Sequence, residues 1–413
     1  MQAHDLISMV AVEQLFLSIV ILLAAARLFG ELFRRIGQPA LGGELLAGMI
    51  LGPSLFGIVS SNESLEMLSN IAIFFVLLFI GLEMDIRQVK RTGKPAVILS
   101  VTSLILPFLA GYGISVIFGI AIIPSLFIGL LLSVTSVPVS AMILVELGIL
   151  KSKIGTTVLS AAVVDDIISL VILAVILQFA QTGGAAININ AIGVSGLKIA
   201  IFLVGIGFLA YLVNKINVWF PKRLEWFFVK AKTKEATFGI LIVLAITISL
   251  LAQYAGLHFI IGTFLAGLIF SERLLGKKEA DHAYGIISGI TFGFFAPLFF
   301  AIIGMKFSGQ SLADSIPYLI MLIGAAMATK TVGGYLGARI FKFNNIESLA
   351  LASLLNGRGT VGLAITALAF SVGILDITLY SVAVSICFIT TMLTPVLAKP
   401  FLRRIQVIRS EIE

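Results

Sequence analysis

Apolar residues dominate the chain in long runs that short polar stretches interrupt. Thirteen such runs are centred near residues 23, 50, 77, 106, 132, 168, 204, 245, 265, 295, 325, 363 and 388. A helix of about 20 apolar residues spans the hydrocarbon core of a bilayer. The pattern therefore predicts an all-α polytopic membrane protein with thirteen transmembrane helices.

The composition agrees with this prediction, because 59% of the 413 residues are hydrophobic and 12% are charged. Soluble domains carry about 25% charged residues. Thirteen spans leave room only for short loops, so we expect no separate soluble domain. The segment before the first run contains Asp5 and Glu13 and no Lys or Arg, which indicates a span rather than a cleavable signal peptide. The single cysteine, Cys387, cannot form an intrachain disulfide.

The net charge of +7 indicates membrane topology rather than nucleic-acid binding, which needs Lys and Arg clustered on a solvated face. Of the 28 basic residues, 23 lie in loops that follow odd-numbered spans. Because cytoplasmic loops accumulate Lys and Arg, we expect the N-terminus outside and the C-terminus in the cytoplasm. The longest cytoplasmic connection, 216–235, mixes aromatic and basic residues, which favours a helix lying in the membrane interface.

Three pairs of segments indicate two related halves. Residues 37–51 resemble residues 256–270 at an offset of 219, whereas 78–84 resemble 301–307 and 131–142 resemble 354–365 at an offset of 223. Each offset displaces a span by seven positions, an odd number, so the halves face opposite ways. We therefore predict two six-helix inverted repeats joined by a connector helix, the seventh span. Such repeats place a binding site near the membrane midplane and permit alternating access.

Two adjacent acids, Asp165 and Asp166, lie near the middle of the sixth span. One carboxylate at a helix centre costs an estimated ~2.5 to 3.5 kcal/mol, so two of them require partners or a cation. Neighbouring positions on a helix point about 100° apart, which favours different roles for the two acids. Lys330, near the midplane in the eleventh span, is the candidate partner for one of them.

Two candidate helix breaks occupy equivalent positions in the two repeats. Residues 133–138 combine hydroxyl side chains with Pro138, and residues 356–360 contain two glycines. Unwound backbone at membrane depth is tolerated where it lines a protein interior or a watery cavity. A simple kink is the alternative for each break. Arg358 either neutralises exposed carbonyl groups of the second break or snorkels to the membrane surface.

Other polar signals have more ordinary interpretations. Residues 357–362 spell the G-x-G-x-x-G fingerprint, but without a preceding strand they do not predict a dinucleotide site. For Glu44, in the short second span, we expect a structural or dimer-contact role, with an ion-path role as the alternative. Charge balance is the expected role of three acids near cytoplasmic helix ends: Glu83, Asp85 and Glu146. None of the three histidines is spaced as a metal ligand: His4, His258 and His282.

With these motifs the chain resembles, over nearly its whole length, the prokaryotic monovalent cation/proton antiporters of the second superfamily branch, the NapA-type sodium/proton antiporters. The segments that carry the resemblance are GQPALGGELLAGMILGP at 37–53, FIGLEMDIRQVKRTGKPA at 79–96, SVTSVP at 133–138, VVDD at 163–166, LFFAIIGMKF at 298–307, TKTVGGYLGAR at 329–339 and NGRGTVGL at 356–363.

The resemblance implies a homodimer in the cell membrane and an elevator movement of a core against a dimerisation panel. It divides the chain into panel helices at 1–94, core helices at 95–182, the connector helix and interfacial loop at 183–235, panel helices at 236–310, core helices at 311–404 and a cytoplasmic tail at 405–413. We expect membrane lipid as a partner, no nucleic acid, no enzymatic activity and no cofactor.

By the same resemblance, Asp166 is the carrier of the transported metal ion, sodium, and of the proton. Asp165 pairs with Lys330, and Thr135 and Ser136 line the first crossing. The family usually has Arg-Gly-Glu in the second crossing. Thr360 stands where that glutamate is expected, so a role for the acid does not carry over to this chain.

Related potassium efflux systems typically have Gln-Asp in place of Asp-Asp and carry a cytosolic nucleotide-binding domain. The Asp165–Asp166 pair therefore favours sodium, with lithium as a surrogate. We expect electrogenic exchange of sodium for protons that serves pH homeostasis. The alternatives are a potassium/proton antiporter, a gated cation channel and a sodium-coupled symporter of organic anions.

Overall fold

The computed structural model describes residues 3–83, 92–181, 205, 234–255, 257–269 and 277–410, and these residues are almost entirely helical. Twelve of the thirteen predicted span centres lie in helical segments. The centre near residue 204 and most of the 216–235 connection lie outside the described residues. Eight helices among the described residues are long and apolar enough to cross a membrane. The described residues confirm the predicted helical fold with several apolar helices of membrane-spanning length, and the total of thirteen spans stays a prediction.

The first half of the chain, as far as it is described, forms seven helices: α1 Ala3–Arg35, α2 Ala40–Leu51, α3 Glu63–Glu83, α4 Lys94–Ile117, α5 Ile122–Ser133, α6 Val137–Glu146 and α7 Lys153–Gln181. The second half continues with α8 Lys234–Tyr254, α9 Phe259–Ile269, α10 Lys277–Ile290, a π-helical turn at Thr291–Phe295, α11 Ala296–Met305, α12 Gly309–Ala313, α13 Ile316–Ile340, α14 Asn345–Leu354, α15 Thr360–Ser371 and α16 Ile377–Ser410.

Glycines bring α13 into close contact with α4. A methyl group on Gly333 would collide with the backbone of Thr102, and one on Gly337 would collide with the Thr102 side chain. Only a residue without a Cβ atom permits this approach. The close packing places Lys330, one turn before Gly333, inside the protein rather than against lipid.

The start of α14 is fixed by a reciprocal pair of side-chain hydrogen bonds. The backbone amide of Glu347 donates to the Asn344 side chain at 2.8 Å, and the Asn344 amide donates to the Glu347 carboxylate at 3.0 Å. This capping box satisfies two amide groups that a helix N-terminus leaves without partners. A firm start helps so short a helix to present its other end at a defined place in the protein interior.

The chain divides into two compact units. The first comprises Met1–Ser69, Ile86–Ser169 and Pro297–Glu413, and the second comprises Asn70–Asp85 and Leu170–Ala296. The second unit has an apolar core in which Phe74 and Leu78 pack with Leu241 and Ile287. The rings of Phe75 and Phe295 stack there, with centroids 4.6 Å apart. All the predicted site residues lie in the first unit.

Candidate ion-binding site

The first predicted break separates α5 from α6. Helix α5 ends at Ser133, and α6 begins at Val137. Between them, Val134 (φ −61°, ψ 145°) and Ser136 (φ −106°, ψ 107°) are extended. Pro138 follows in the first turn of α6, where its missing N–H costs no helical hydrogen bond. The sequence thus starts a new helix here and leaves three residues of unwound backbone inside the protein.

The second predicted break lies between Leu354, the end of α14, and Thr360, the start of α15, and it contacts the first. The Ser136 amide donates to the Gly357 carbonyl at 2.7 Å. A side chain on Gly359 would collide with the Ser136 hydroxyl, so this approach requires glycine. Both breaks are buried, and they form a crossing of two interrupted helices.

Arg358 is fully buried in this crossing, so its side chain does not snorkel to the membrane surface. Its Nε donates to the Leu132 carbonyl at 3.0 Å, and its Nη1 donates to the Asn356 carbonyl at 2.9 Å. Its Nη2 also contacts the Leu132 carbonyl and donates to the Ala326 carbonyl at 3.2 Å. The guanidinium therefore donates to carbonyl groups at the C-terminal end of α5, where a helix carries partial negative charge, and in the second break.

Lys330 and Asp165 form a buried ion pair, with Lys330 Nζ 3.1 Å from Asp165 Oδ2. The same ammonium also donates to the Ser133 carbonyl, the last in α5. One lysine thus bonds both to the acid on α7 and to the first break. A buried charge pair keeps its stability only while both partners remain, because removal of one leaves the other charge without compensation.

Asp166 differs from its neighbour, because neither of its carboxylate oxygens accepts a hydrogen bond from any residue that the structure describes. Its side chain is fully buried. Two hydroxyl groups of the breaks, those of Ser136 and Thr360, are buried and also have no hydrogen-bond partner among the described residues. The buried Thr135 hydroxyl interacts with the Asp165 carboxylate. A buried, unpaired carboxylate is costly, and a proton or a bound cation would remove that cost.

Glu44 lies on α2 against α1. A Cβ atom on Gly30 of α1 would lie 3.4 Å from Glu44 Oε1. The charges of Arg27 and Arg34, both on α1, act on the Glu44 carboxylate. Residues of α1 therefore surround the Glu44 carboxylate, and the role of Glu44 stays a prediction.

Two site residues were not found from the sequence. The Ser140 hydroxyl donates to the Leu354 carbonyl at 2.7 Å and so caps the end of α14 from α6. The Asn356 side-chain amide donates to the Thr331 hydroxyl at 2.9 Å and to the Ala352 carbonyl at 3.1 Å. Ser140 lies one helical turn after Ser136 and therefore on the same face, and this spacing could have identified Ser140 from the sequence. The contact between Asn356 and α13 depends on tertiary packing and left no such signal.

Clusters of the usual divalent-metal ligands are absent from the described part of the chain, where no three His, Cys, Asp or Glu side chains come together. The groups available as ligands in this region are the unpaired Asp166 carboxylate and neutral hydroxyl oxygens of the two breaks. Hard oxygen ligands with a single negative charge suit a monovalent cation better than a zinc ion, which prefers nitrogen and sulfur.

Comparison with known proteins assigns this arrangement to a family. Residues 18–404 match the model of the family "Sodium/hydrogen exchanger, transmembrane". The "Probable Na(+)/H(+) antiporter GerT" of Bacillus cereus is 33% identical over 85% of this chain and 90% of its own length. The "Na(+)/H(+)-K(+) antiporter GerN" of the same organism is 29% identical over 94% of this chain and 96% of its own length.

Among solved structures, the sodium proton antiporter MjNhaP1 from Methanocaldococcus jannaschii at pH 8 has a similar fold. The match has a TM-score of 0.69 at 19% sequence identity and covers 93% of this chain and 96% of that one.

Proposed function

The chain belongs to the transmembrane sodium/hydrogen exchanger family, and from this membership we infer that it is a secondary transporter, not an enzyme, that exchanges sodium for protons across a membrane. Such exchange needs no cofactor. Sodium, or lithium as its surrogate, and protons are the transported ions. The proposed location is the plasma membrane, with the N-terminus outside and the C-terminus in the cytoplasm.

The observation that carries this proposal is the different surroundings of the two neighbouring aspartates. Asp165 is paired with Lys330, whereas the buried Asp166 carboxylate has no hydrogen-bond donor among the described residues. In our proposal, Asp166 holds either a sodium ion or a proton, and the two ligands compete for it. Competition for one carboxylate couples the two ion flows. The carboxylate binds one ion on one side of the membrane and exchanges it for the other ion on the opposite side.

The crossing supplies the remaining parts of the proposed site. The hydroxyls of Thr135 and Ser136 lie in the first break as neutral oxygen ligands, and both are buried. Arg358 and Lys330 balance the carbonyl ends of the broken helices. With those carbonyls already neutralised, the charge at the site is set by Asp166 and its occupant.

For the whole chain we propose thirteen spans in two inverted repeats, and pairs of glycine contacts support this architecture. A methyl group on Gly48 of α2 would collide with the Ala301 carbonyl of α11. A methyl group on Gly267 of α9 would collide with the Leu78 carbonyl of α3. Gly48 and Gly267 differ by 219, and Leu78 and Ala301 differ by 223, which are the offsets of the sequence repeat. Each half therefore makes the equivalent contact with the other half.

Alternating access would follow from movement of core helices at 95–182 and 311–404 against panel helices at 1–94 and 236–310. We propose a homodimer that forms through the panel. The outward face of α1 supports this assignment, because Phe16, Leu17 and Val20 are each about 60% exposed in the single chain. In a membrane such a face contacts lipid or a second copy.

Potassium is the second candidate ion, because one relative is named a Na(+)/H(+)-K(+) antiporter. The test is a pH-sensitive dye inside proteoliposomes, with sodium, lithium and potassium added outside in turn. We expect sodium and lithium to drive proton efflux and potassium to drive less. Equal responses to potassium would move the assignment to a potassium/proton antiporter. Passive current without proton movement would indicate a channel and overturn the proposal.

A further inference from the structure

The C-terminal end of α15 and the N-terminal end of α16 meet the C-terminal end of α11. Helix α15 runs from the crossing at Thr360 to Ser371, which places Phe370 about 15 Å from the crossing at 1.5 Å per residue. Helix α16 begins at Ile377 and α11 ends at Met305. In the proposed topology all three of these ends lie on the outer side of the membrane.

Tyr380 links α16 to the end of α11 through its hydroxyl group. The Tyr380 hydroxyl donates to the Ile303 carbonyl at 2.8 Å, and the side chain is fully buried. The Phe370 and Tyr380 rings pack with their centroids 4.5 Å apart. One residue further along α16, the Ser381 hydroxyl accepts a hydrogen bond from the Ser308 amide at 2.9 Å.

The Ile303 carbonyl needs this donor. In a continued helix it would accept from the Phe307 amide, but that amide donates instead to the Gly304 carbonyl at 3.0 Å. Helix ends leave such carbonyl groups without partners. If α16 moved away from α11, both the Tyr380 hydroxyl and the Ile303 carbonyl would need water, because unpaired buried polar groups are costly. Separation at this place is therefore linked to the entry of water.

A second set of contacts, made by Lys306 and Ser54, lies near those of Tyr380 and Ser381. Lys306 Nζ lies 3.1 Å from Glu66 Oε1 and 5.6 Å from the centroid of the Phe370 ring. The lysine thus contacts both the start of α3 and the end of α15. The Ser54 hydroxyl contacts the Phe307 carbonyl and accepts from the Gly309 amide at 3.2 Å. These contacts lie at the same ends of the helices as the hydrogen bonds of Tyr380 and Ser381.

The contact between α16 and α2 is of a different kind. There the Met392 side chain lies against Gly42, with no room for a methyl group on the glycine. A flexible apolar side chain can slide over a glycine surface at little cost. The hydrogen bonds of Tyr380 and Ser381 must break for the same displacement. Among the contacts of α16 with α2 and α11 described above, hydrogen bonds occur at the end near Tyr380 and Ser381.

We propose that Tyr380 and Ser381, bonded to Ile303 and Ser308 at the end of α11, form an outer latch that holds the outer entrance to the transport path closed in this state. The latch opens when α15 and α16 move relative to α11, and water then enters toward the crossing. This inference rests on the proposed alternating access and the proposed topology. It makes Tyr380 a conformational residue with no contact to the transported ion.

The test uses Tyr380→Phe, which removes the hydroxyl group and keeps the ring against Phe370. The reporter is Ser385→Cys, one helical turn deeper than Ser381 on α16, with the native Cys387 replaced by serine. A membrane-impermeant maleimide is applied from outside to right-side-out vesicles. We expect Tyr380→Phe to raise the labelling rate of this cysteine about fivefold, a change in the open fraction that corresponds to one lost hydrogen bond of about 1 kcal/mol.

Tyr318→Phe is the matched control. The buried Tyr318 hydroxyl pairs with the Ser115 hydroxyl at 2.6 Å and joins α13 to α4, two helices of the proposed core. Loss of the Tyr318 hydroxyl removes a comparable hydrogen bond and leaves the outer latch unchanged, so the labelling rate should stay at the parent value. Equal rates in Tyr380→Phe, Tyr318→Phe and the parent protein would overturn the latch.

Ser381→Ala is a second variant for the same labelling assay if Tyr380→Phe fails to fold. It removes the acceptor for the Ser308 amide and should raise labelling in the same direction, while an unchanged rate would count against the latch. Sodium/proton exchange by the parent protein is measured separately. Exchange in the parent with unchanged labelling in the variants contradicts the latch alone, and absence of exchange in the parent contradicts the proposed function.

Discussion

At the scale of single residues, two neighbours of identical chemistry receive different surroundings because they point in different directions around α7. Asp165 meets Lys330 at 3.1 Å, and Asp166 meets no hydrogen-bond donor among the described residues. In our proposal, a static ion pair and a site that exchanges its occupant thus lie at consecutive positions. Substitutions at the two positions should have different consequences.

Asp166→Asn should abolish sodium/proton exchange, because the amide has no charge to attract sodium and no proton to release. Exchange is measured by dye fluorescence in proteoliposomes. In the unchanged protein, the apparent sodium affinity should fall as the pH falls, since protons occupy the same carboxylate. The result against this prediction is exchange that survives in Asp166→Asn, or sodium binding that does not depend on pH.

The Asp165–Lys330 pair should show coupling in a double-mutant cycle. Lys330→Gln alone leaves the Asp165 charge unpaired in a buried site, where breaking such a pair costs about 3 to 5 kcal/mol. Adding Asp165→Asn removes the second charge and should recover part of the lost thermal stability in detergent. Strictly additive losses would show that the pair contributes no coupling. Exchange that persisted in Asp166→Asn and vanished in Asp165→Asn would reverse the assigned roles.

At the scale of helices, the sequence predicted both breaks because their causes are local. Pro138 and the hydroxyl residues mark the first, and Gly357 and Gly359 mark the second. The partners of Arg358 were left open between carbonyl groups and the membrane surface, since two of them lie on α5 and α13, far away in sequence. The π-helical turn at Thr291–Phe295 was not predicted either, because its composition is that of an ordinary apolar helix.

Gly48→Ala and Gly267→Ala should destabilise the protein to similar extents, because each added methyl group collides with a backbone carbonyl of the helix packed against it. Overpacking of this kind costs about 1 to 3 kcal/mol. Gly324→Ala is the control, since nothing lies within 4 Å of a Cβ atom at that position of α13. Thermal unfolding in detergent measures all three. A large loss for only one of the repeat-related glycines would argue against equivalent packing of the two halves.

At the scale of the whole molecule, membrane orientation comes from the sequence alone, because basic residues are sorted by loop and no feature of a single helix records which side it faces. The fold could be predicted as a set of membrane helices with two interrupted ones. The contacts between α11, α15 and α16 could not, because they join carbonyl and hydroxyl groups that carry no signal until the helices meet. The orientation nevertheless decides on which side of the membrane the contacts between α11, α15 and α16 lie.

The topology predicts opposite labelling at two serines. Ser61 lies exposed in the loop between α2 and α3, and Ser152 lies between α6 and α7, where its hydroxyl accepts from the Gly155 amide at 3.1 Å. With the N-terminus outside, Ser61→Cys should react with an impermeant maleimide only from outside, and Ser152→Cys only from the cytoplasmic side of inside-out vesicles. The exposed Ser61→Cys should react fast, and the half-buried Ser152→Cys more slowly, so each rate is compared with that in detergent-solubilised protein. Labelling of Ser61→Cys from the cytoplasm, or of Ser152→Cys from outside, would invert the orientation. It would also move the closed latch at Tyr380 to the cytoplasmic side.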